Sequence, residues 1–291
     1  MVKAIYKELY PFRSNYLDLE GHRLHYLDEG EGEPIFMLHG NPTWSFYYRH
    51  VVSEFKKTHR CVAPDYIGCG LSDKPQDYAY TLLTHIDNIE KLANHLNFEK
   101  INLVIHDWGG AIGMGFAIRN PERISRIVIM NTGAFLESYI PLSINICRLP
   151  VIGDILIRGF NGFAKGALMR AIKFRDRLTP QIRSGYLSPY NSWKNRIAHL
   201  RFVQDIPMTP EVESYSIVEK IQSKLHLFEK NPILICWGML DFCFNGKFLA
   251  RWKDIYPYAS VHKFSSSGHY LLEDAHEDII PLMKEFFHYK S

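Results

Sequence analysis

A chain of 291 residues, 46% hydrophobic and 22% charged, has the composition of a globular protein and is long enough to bury a large core without staples. Its formal net charge of +3 comes with no nucleic-acid-binding motif. The five cysteines, Cys61, Cys69, Cys147, Cys236 and Cys243, are odd in number and include no CxxC pair. They read as neither a disulfide framework nor a zinc site, and they favour a reducing compartment. The opening MVKAIYKELYPF lacks the apolar h-region of a signal peptide, and no run approaches membrane-spanning length. A cytoplasmic location is expected.

In chain order, residues 15–20 and 22–28 alternate in polarity about Gly21 and predict a β-hairpin. After the EGEGEP loop, short apolar runs recur at 35–38, 61–63, 101–105, 127–130, 233–237 and 261–264. Such runs fit strands buried on both faces of a parallel sheet. Between them, residues 81–97 place Ile86, Ile89, Ala93 and Leu96 on one face behind the N-cap Thr81, which predicts an amphipathic helix. Strand–helix alternation of this kind means an α/β fold, a mostly parallel central sheet flanked by helices. The opening hairpin supplies its antiparallel edge.

The alternation stops after Asn131. Residues 134–210 are rich in aromatics, glycine and arginine and show only helical fragments, so they read as an inserted helical cap. Residues 1–133 and 211–291 form the core, and a helix over 216–230 leads back to the sheet. Ligands in open α/β folds bind outside the carboxyl ends of the strands, so a cap there encloses the site. The cap holds 11 Lys/Arg against 4 Asp/Glu, while the rest of the chain is mildly acidic. A solvated basic surface is the reading adopted; an acidic partner or an anionic membrane surface ranks below it.

The run 101–105 leads directly into His106-Asp107-Trp108-Gly109-Gly110 and an apolar helix, the context of a nucleophile elbow. A serine usually stands at its apex; here it is Asp107. A carboxylate needs no proton removed and can attack an sp³ carbon bearing a leaving group, forming an alkyl-enzyme ester. The plainer alternative is that Asp107 only caps the next helix. Two partners weigh against it: Asp241, just past the run 233–237, and His269, in Ser-Ser-Ser-Gly-His after the final run. Their order follows that of hydrolase-fold triads, with His269 as general base and Asp241 orienting it. The loop His39-Gly40-Asn41-Pro42 follows the first core run. Asn41 and Trp108 are expected to supply oxyanion-hole N–H groups, and their side-chain donors could hold a departing anion. His39 and His106 are read as supports for the backbone. No cofactor or metal is called for.

The motifs HGNPTWS, PDYIGCGLSDKP, VIHDWGG, CWGMLD and SGH together resemble the haloalkane dehalogenase family of the α/β-hydrolase superfamily, over essentially the whole chain. HDWG alone also occurs in soluble epoxide hydrolases. The resemblance implies that Asp107 displaces the leaving group, Asn41 with Trp108 holds it, and His269 activates water. One subfamily carries its acid after the sixth strand, where this chain has Asn131. Another pairs the late aspartate with a second halide-binding tryptophan from the cap and lacks Asn in the first loop. The combination of Asn41 with Asp241 resembles the third subfamily, which includes the β-lactone decarboxylases of bacterial long-chain olefin biosynthesis. Their resemblance extends to the cap stretch GYLSPYNSWKNRIAHLRFVQDIPM. It implies a small apolar substrate, decarboxylation of a cis-β-lactone to a cis-olefin, and association with a β-lactone synthetase.

The alternative is a hydrolytic haloalkane dehalogenase releasing a primary alcohol. Third comes an epoxide hydrolase, for which Tyr139, Tyr186 and Tyr190 are the available acids. Trp193 is read as a packing residue rather than a halide ligand. A serine esterase is excluded by the residue at the elbow, and a binding protein without catalysis is disfavoured by three filled triad positions.

Overall fold

The computed structural model describes residues 5–288. Its strands are β1 (Asn15–Leu19), β2 (His22–Glu29), β3 (Pro34–Leu38), β4 (Arg60–Pro64), β5 (Ile101–Asp107), β6 (Ile124–Thr132), β7 (Ile233–Gly238) and β8 (Ser260–Phe264). They form one sheet in the order β1-β2-β4-β3-β5-β6-β7-β8. β1 pairs antiparallel with β2, and β2 antiparallel with β4; every other pairing is parallel. The hairpin turns at Gly21, whose φ of +89° suits a residue without Cβ.

Alternation along the strands divides the core into two layers. Phe36, Leu38, Leu103, Ile105, Ile127 and Ile129 face one side, and Ile35, Met37, Val104, Val128 and Met130 face the other. The first face is covered by α2 (Leu82–His95), α3 (Trp108–Ala117), α8 (Glu213–Ser223) and α9 (Gly246–Ile255), the second by α1 (Arg49–Phe55) and α10 (Leu271–His288). Each fully buried Leu, Ile or Phe stabilises such a sandwich by about 1.5–3 kcal/mol. α2 matches its expected position: Thr81 accepts a hydrogen bond from the Thr84 N–H, and Ile86, Ile89 and Ala93 are buried.

Two expectations need correction. The run 261–264 is the outer edge of the sheet, paired only with β7, with Ser260 and Lys263 exposed. Val261 packs against one core layer and Phe264 against the other, both only partly buried. The helix expected over 216–230 is instead α8, followed after Lys224 by a tight 3₁₀ turn, Leu225–Phe228. In this turn Leu225 and Phe228, three apart, stand on one side and both reach the core.

No strand lies between Thr132 and Ile233. That stretch holds α4 (Leu142–Arg148), a π-helical segment (Asp154–Gly159), α5 (Gly162–Ala171), α6 (Pro180–Leu187), α7 (Ile197–Gln204) and α8. A small apolar cluster of its own, Cys147, Ile157, Leu200 and Val203, ties α4, the π segment and α7 together. The segment is anchored on a buried pair of the core: Arg49 of α1 binds Glu273 of α10 through both terminal nitrogens, at 2.5 and 2.7 Å. The Tyr186 hydroxyl of α6 donates to the same carboxylate.

Candidate active site

Asp107 ends β5 at φ +53°, ψ −125°, a conformation that residues with a Cβ seldom adopt. Packing enforces it. The Thr132 hydroxyl at the end of β6 donates to the Asp107 carbonyl. A Cβ on Gly109 would stand 2.0 Å from the Leu38 carbonyl oxygen, so α3 begins hard against β3. The Asp107 side chain makes no cap hydrogen bond to α3. It turns instead toward the loop after β3, where the Asn41 N–H donates to Oδ1 at 2.6 Å. Gly40 permits this approach: a Cβ there would lie 2.1 Å from the same oxygen.

The other carboxylate oxygen, Oδ2, lies 3.4 Å from His269 Nε2, and His269 Nδ1 lies 2.8 Å from Asp241 Oδ2. Asp241 is itself fixed: its Oδ1 accepts from the Cys243 N–H at 2.7 Å and the Phe244 N–H at 3.1 Å. Asn131, at the end of β6, donates to Asp241 Oδ2 at 2.9 Å. Burial opposes the charge on Asp107, but His269 and the Asn41 N–H outweigh it and hold the carboxyl below the usual aspartate value. Burial likewise disfavours imidazolium at His269, yet Asp241 and Asp107 raise it to about 10. Both neighbouring acids therefore favour the protonated ring at His269.

The structure thus brings Asp107, Asp241 and His269 together. It places Asn41 and Trp108 beside them on the wall of one cavity of about 470 Å³. The Trp108 ring packs against Phe202 at 5.2 Å between centroids. The side-chain amide of Asn41 donates to the His199 carbonyl at 3.2 Å, which leaves its second hydrogen for an anion. The Asn41 backbone N–H, expected to serve an oxyanion hole, is held by Asp107 instead.

His39 and His106 support backbone. Gly40 O lies 2.7 Å from His39 Nδ1, and His106 Nε2 donates to the His269 carbonyl at 2.8 Å. Burial and the neighbouring His269 push His106 down to about 3, which keeps it neutral. The three candidate epoxide acids are engaged elsewhere. Tyr186 binds Glu273, Tyr190 accepts from the Gly70 N–H at 2.9 Å, and Tyr139 donates to the Phe242 carbonyl at 3.1 Å. Trp193 lies outside the cavity, 45% exposed, under the Arg158 guanidinium.

Most of the cavity wall is apolar. The core contributes Ala111, Phe242, Phe244 and Phe248; the helical segment contributes Ile144, Phe163, Val203, Ile206 and Met208. Sequence reasoning passed over Thr132 and two cysteines on this wall, Cys147 and Cys243. None belongs to a recognisable motif. Burial raises both thiols above their usual pKa, and at Cys243 the charges of Asp241 and Asp107 add to the effect.

The family model for the alpha/beta hydrolase fold matches residues 33–146. The haloalkane dehalogenase DatA of Agrobacterium tumefaciens superposes with a TM-score of 0.83 at 24% identity, covering 94% of this chain and 95% of that one. DbeA of Bradyrhizobium elkani gives 0.82 at 22%, covering 95% and 98%. The protein has the α/β-hydrolase fold. In sequence it is 51% identical to a cis-3-alkyl-4-alkyloxetan-2-one decarboxylase of Shewanella oneidensis, over 96% of this chain and 89% of the relative. A protein of the same name in Xanthomonas campestris is 40% identical over 95% and 96%. Haloalkane dehalogenase 2 of Mycobacterium tuberculosis is 30% identical over 96% of both. The chain belongs to this family of decarboxylases and haloalkane dehalogenases, and it is an enzyme.

Proposed function

We propose that the protein decarboxylates cis-β-lactones, cis-3-alkyl-4-alkyloxetan-2-ones, to cis-olefins. The observation that carries this reading is a carboxylate, Asp107, on the wall of an apolar cavity with His269 Nε2 3.4 Å from its second oxygen. Preference for lactone over halide rests on similarity: 51% and 40% identity to decarboxylases against 30% to a dehalogenase.

In the first step an Asp107 oxygen bonds to the ring carbon bearing oxygen, and that C–O bond breaks with inversion. The released carboxylate lies by Asn41 and Trp108, where a halide would otherwise sit, with the imidazolium of His269 balancing its charge. In the second step the bond to the carboxylate carbon breaks and carbon dioxide departs. Its electron pair forms the alkene, and Asp107 leaves as carboxylate. Inversion followed by anti elimination preserves cis geometry. No proton moves, so a histidine raised to about 10 is no obstacle.

Hydrolysis of a haloalkane is the second reading, favoured by the same Asp107–His269–Asp241 geometry. It needs neutral histidine. Once Asp107 is esterified, its charge no longer supports the imidazolium, and His269 can become a base. The epoxide reading loses support from the engaged tyrosines. We assign residues 134–210 the role of cap, which the pocket-lining side chains of α4, α5 and the chain after α7 support. Five unpaired cysteines fit a cytoplasmic location. Association with a β-lactone synthetase is part of the same proposal, read from the family resemblance.

The test is His269→Ala. With a bromoalkane it should release one halide per site and stop, leaving an alkyl adduct on Asp107 visible by intact mass. With a long-chain cis-β-lactone it should form alkene without an adduct. Efficient wild-type turnover of bromoalkanes, with no alkene from lactones, would establish the dehalogenase instead.

A further inference from the structure

The face of the helical segment around the pocket mouth is apolar where water would favour polar side chains. Within residues 142–160, eight large apolar residues are exposed: Leu142, Ile146, Leu149, Val151, Ile152, Ile155, Leu156 and Phe160. Leu142 is 73% exposed, and Val151 and Phe160 are each 68% exposed. Scattered exposed leucines need no explanation, but such a concentration marks a surface that meets something apolar.

Val151 carries a second, independent signal. It stands between α4 and the π segment at φ +65°, in the left-handed region that β-branched residues avoid. Glycine or asparagine would satisfy that turn in water without strain. A strained valine that projects outward contributes nothing to the protein's own core.

The charge pattern narrows the choice of partner. Residues 139–175 hold six Lys/Arg and one Asp/Glu, Asp154, which pairs with Arg158 at 3.3 Å. Arg148, Lys165, Arg170, Lys173 and Arg175 remain without a carboxylate partner among the described residues. Two copies of so basic a face would repel one another. Arg148 lies within the apolar stretch and the other four follow it in the chain, and aliphatic side chains beside arginine and lysine are the composition that lies in the interface of an anionic bilayer. Among the described residues no helix is long and apolar enough to cross a membrane, so the contact is peripheral.

The patch is also continuous with the pocket. Tyr139, Ile146 and Leu156 are each more than a third exposed and each line the cavity that contains Asp107. We propose that the outer face of residues 142–160 docks on an anionic phospholipid surface, with the cavity mouth opening into the bilayer. An apolar substrate then enters from lipid without crossing water. The solvated basic surface expected from sequence accounts for the cations but leaves the eight apolar residues unexplained.

The experiment uses the full chain and extruded vesicles, one set pure phosphatidylcholine and one with roughly one-third phosphatidylglycerol. The wild type should float with the anionic vesicles, with much less bound to neutral ones. Binding should weaken as NaCl rises to about 0.5 M, where the Debye length is only a few ångströms. The triple variant Leu149→Ser, Val151→Ser, Phe160→Ser changes exposed residues that do not line the pocket, so its fold and basal turnover should persist. Its vesicle binding should drop at least about tenfold. Lys165→Glu should lower anionic binding several-fold without that apolar change. Wild-type protein that stays off anionic vesicles, or a triple variant that binds as well as wild type, overturns the proposal. So does a dimer in sedimentation velocity that the triple variant splits in the absence of vesicle binding. The readout is binding, so it can fail while the lactone reading stands, and the converse also holds.

Discussion

Around Asp107 the carboxylates find fixed partners, whereas in the helical segment between Tyr139 and Phe174 many apolar side chains are left exposed. At the carboxyl ends of the strands, Asp241 accepts from two backbone N–H groups and the Asn131 amide, His269 is gripped by Asp241, and Asp107 takes the Asn41 N–H. The helical segment holds a small apolar cluster of its own and is tethered by Tyr186 to Glu273. Its outer face exposes leucine, isoleucine and valine. The first arrangement holds Asp107, Asp241 and His269 in one hydrogen-bonded line. The second shapes a cavity and its approach, which can vary without disturbing the chemistry. A family that contains both decarboxylases and dehalogenases is the expected result of joining the two.

The sharpest way to break this division is Asp107→Ala. If the strand ends carry all the chemistry, alkene formation should fall on the order of 10⁴-fold or more, with circular dichroism unchanged. Substantial activity in the folded variant would remove the basis of the whole reading.

The core pair on which that tether rests comes next. Arg49→Ala leaves Glu273 charged, buried and unpaired, which should cost about 3–5 kcal/mol of stability in urea unfolding. Arg49→Met combined with Glu273→Leu should lose far less. If the single change costs no more than the double, the pair is not the anchor described here.

Trp108→Phe tests whether the donors reach the leaving group. It keeps most of the ring that packs on Phe202 and deletes the indole N–H. A loss of about 2.7–4 kcal/mol, roughly 100–1,000-fold in rate, is expected for a donor aimed at developing charge. A loss below about threefold would assign Trp108 to packing.

The last test concerns pH. His269 binds its proton more tightly in the folded chain, about 10 against the ordinary histidine value of 6.5. Its contribution to stability is therefore complete below about pH 6.5 and is lost as pH rises toward 10. Melting temperature should decline across that window in the wild type and decline less in His269→Gln. Parallel curves would show that the imidazolium is not held as described.

Sequence carried the strand-end region well. Uninterrupted apolar runs located the strands, and the positions just after them located Asp107, Asn41, Asp241 and His269, because a parallel sheet gathers those positions at one end. The edge strand β8 and the break at Lys224 were misread, since a run such as Val261–Phe264 has no length or period that separates edge from centre. The helical segment was legible only as helical. Its order depends on a π turn, several 3₁₀ turns and the left-handed Val151, none of which leaves a period in the residues. The Asn131 contact to Asp241 was likewise out of reach, because it depends on β6 and β7 lying side by side.

The two cysteines in the cavity wall bear on how long each molecule survives. On the proposed reading the cavity admits strained or halogenated electrophiles, and a thiolate is a far stronger nucleophile toward such carbon than a carboxylate. An alkylated cysteine cannot be released by either route open to Asp107, so each misdirected attack would retire an enzyme molecule. Burial keeps Cys147 protonated, and at Cys243 the carboxylates of Asp241 and Asp107 add their repulsion. Asp107 meanwhile stays ionised. If Asp107 is the nucleophile, the carboxylates of the site also hold back its competing thiol, a form of chemoselectivity set by the resting electrostatics. Mass spectrometry after prolonged exposure to iodoalkanes should find the adduct on Asp107 long before either thiol, and the order should reverse first at high pH.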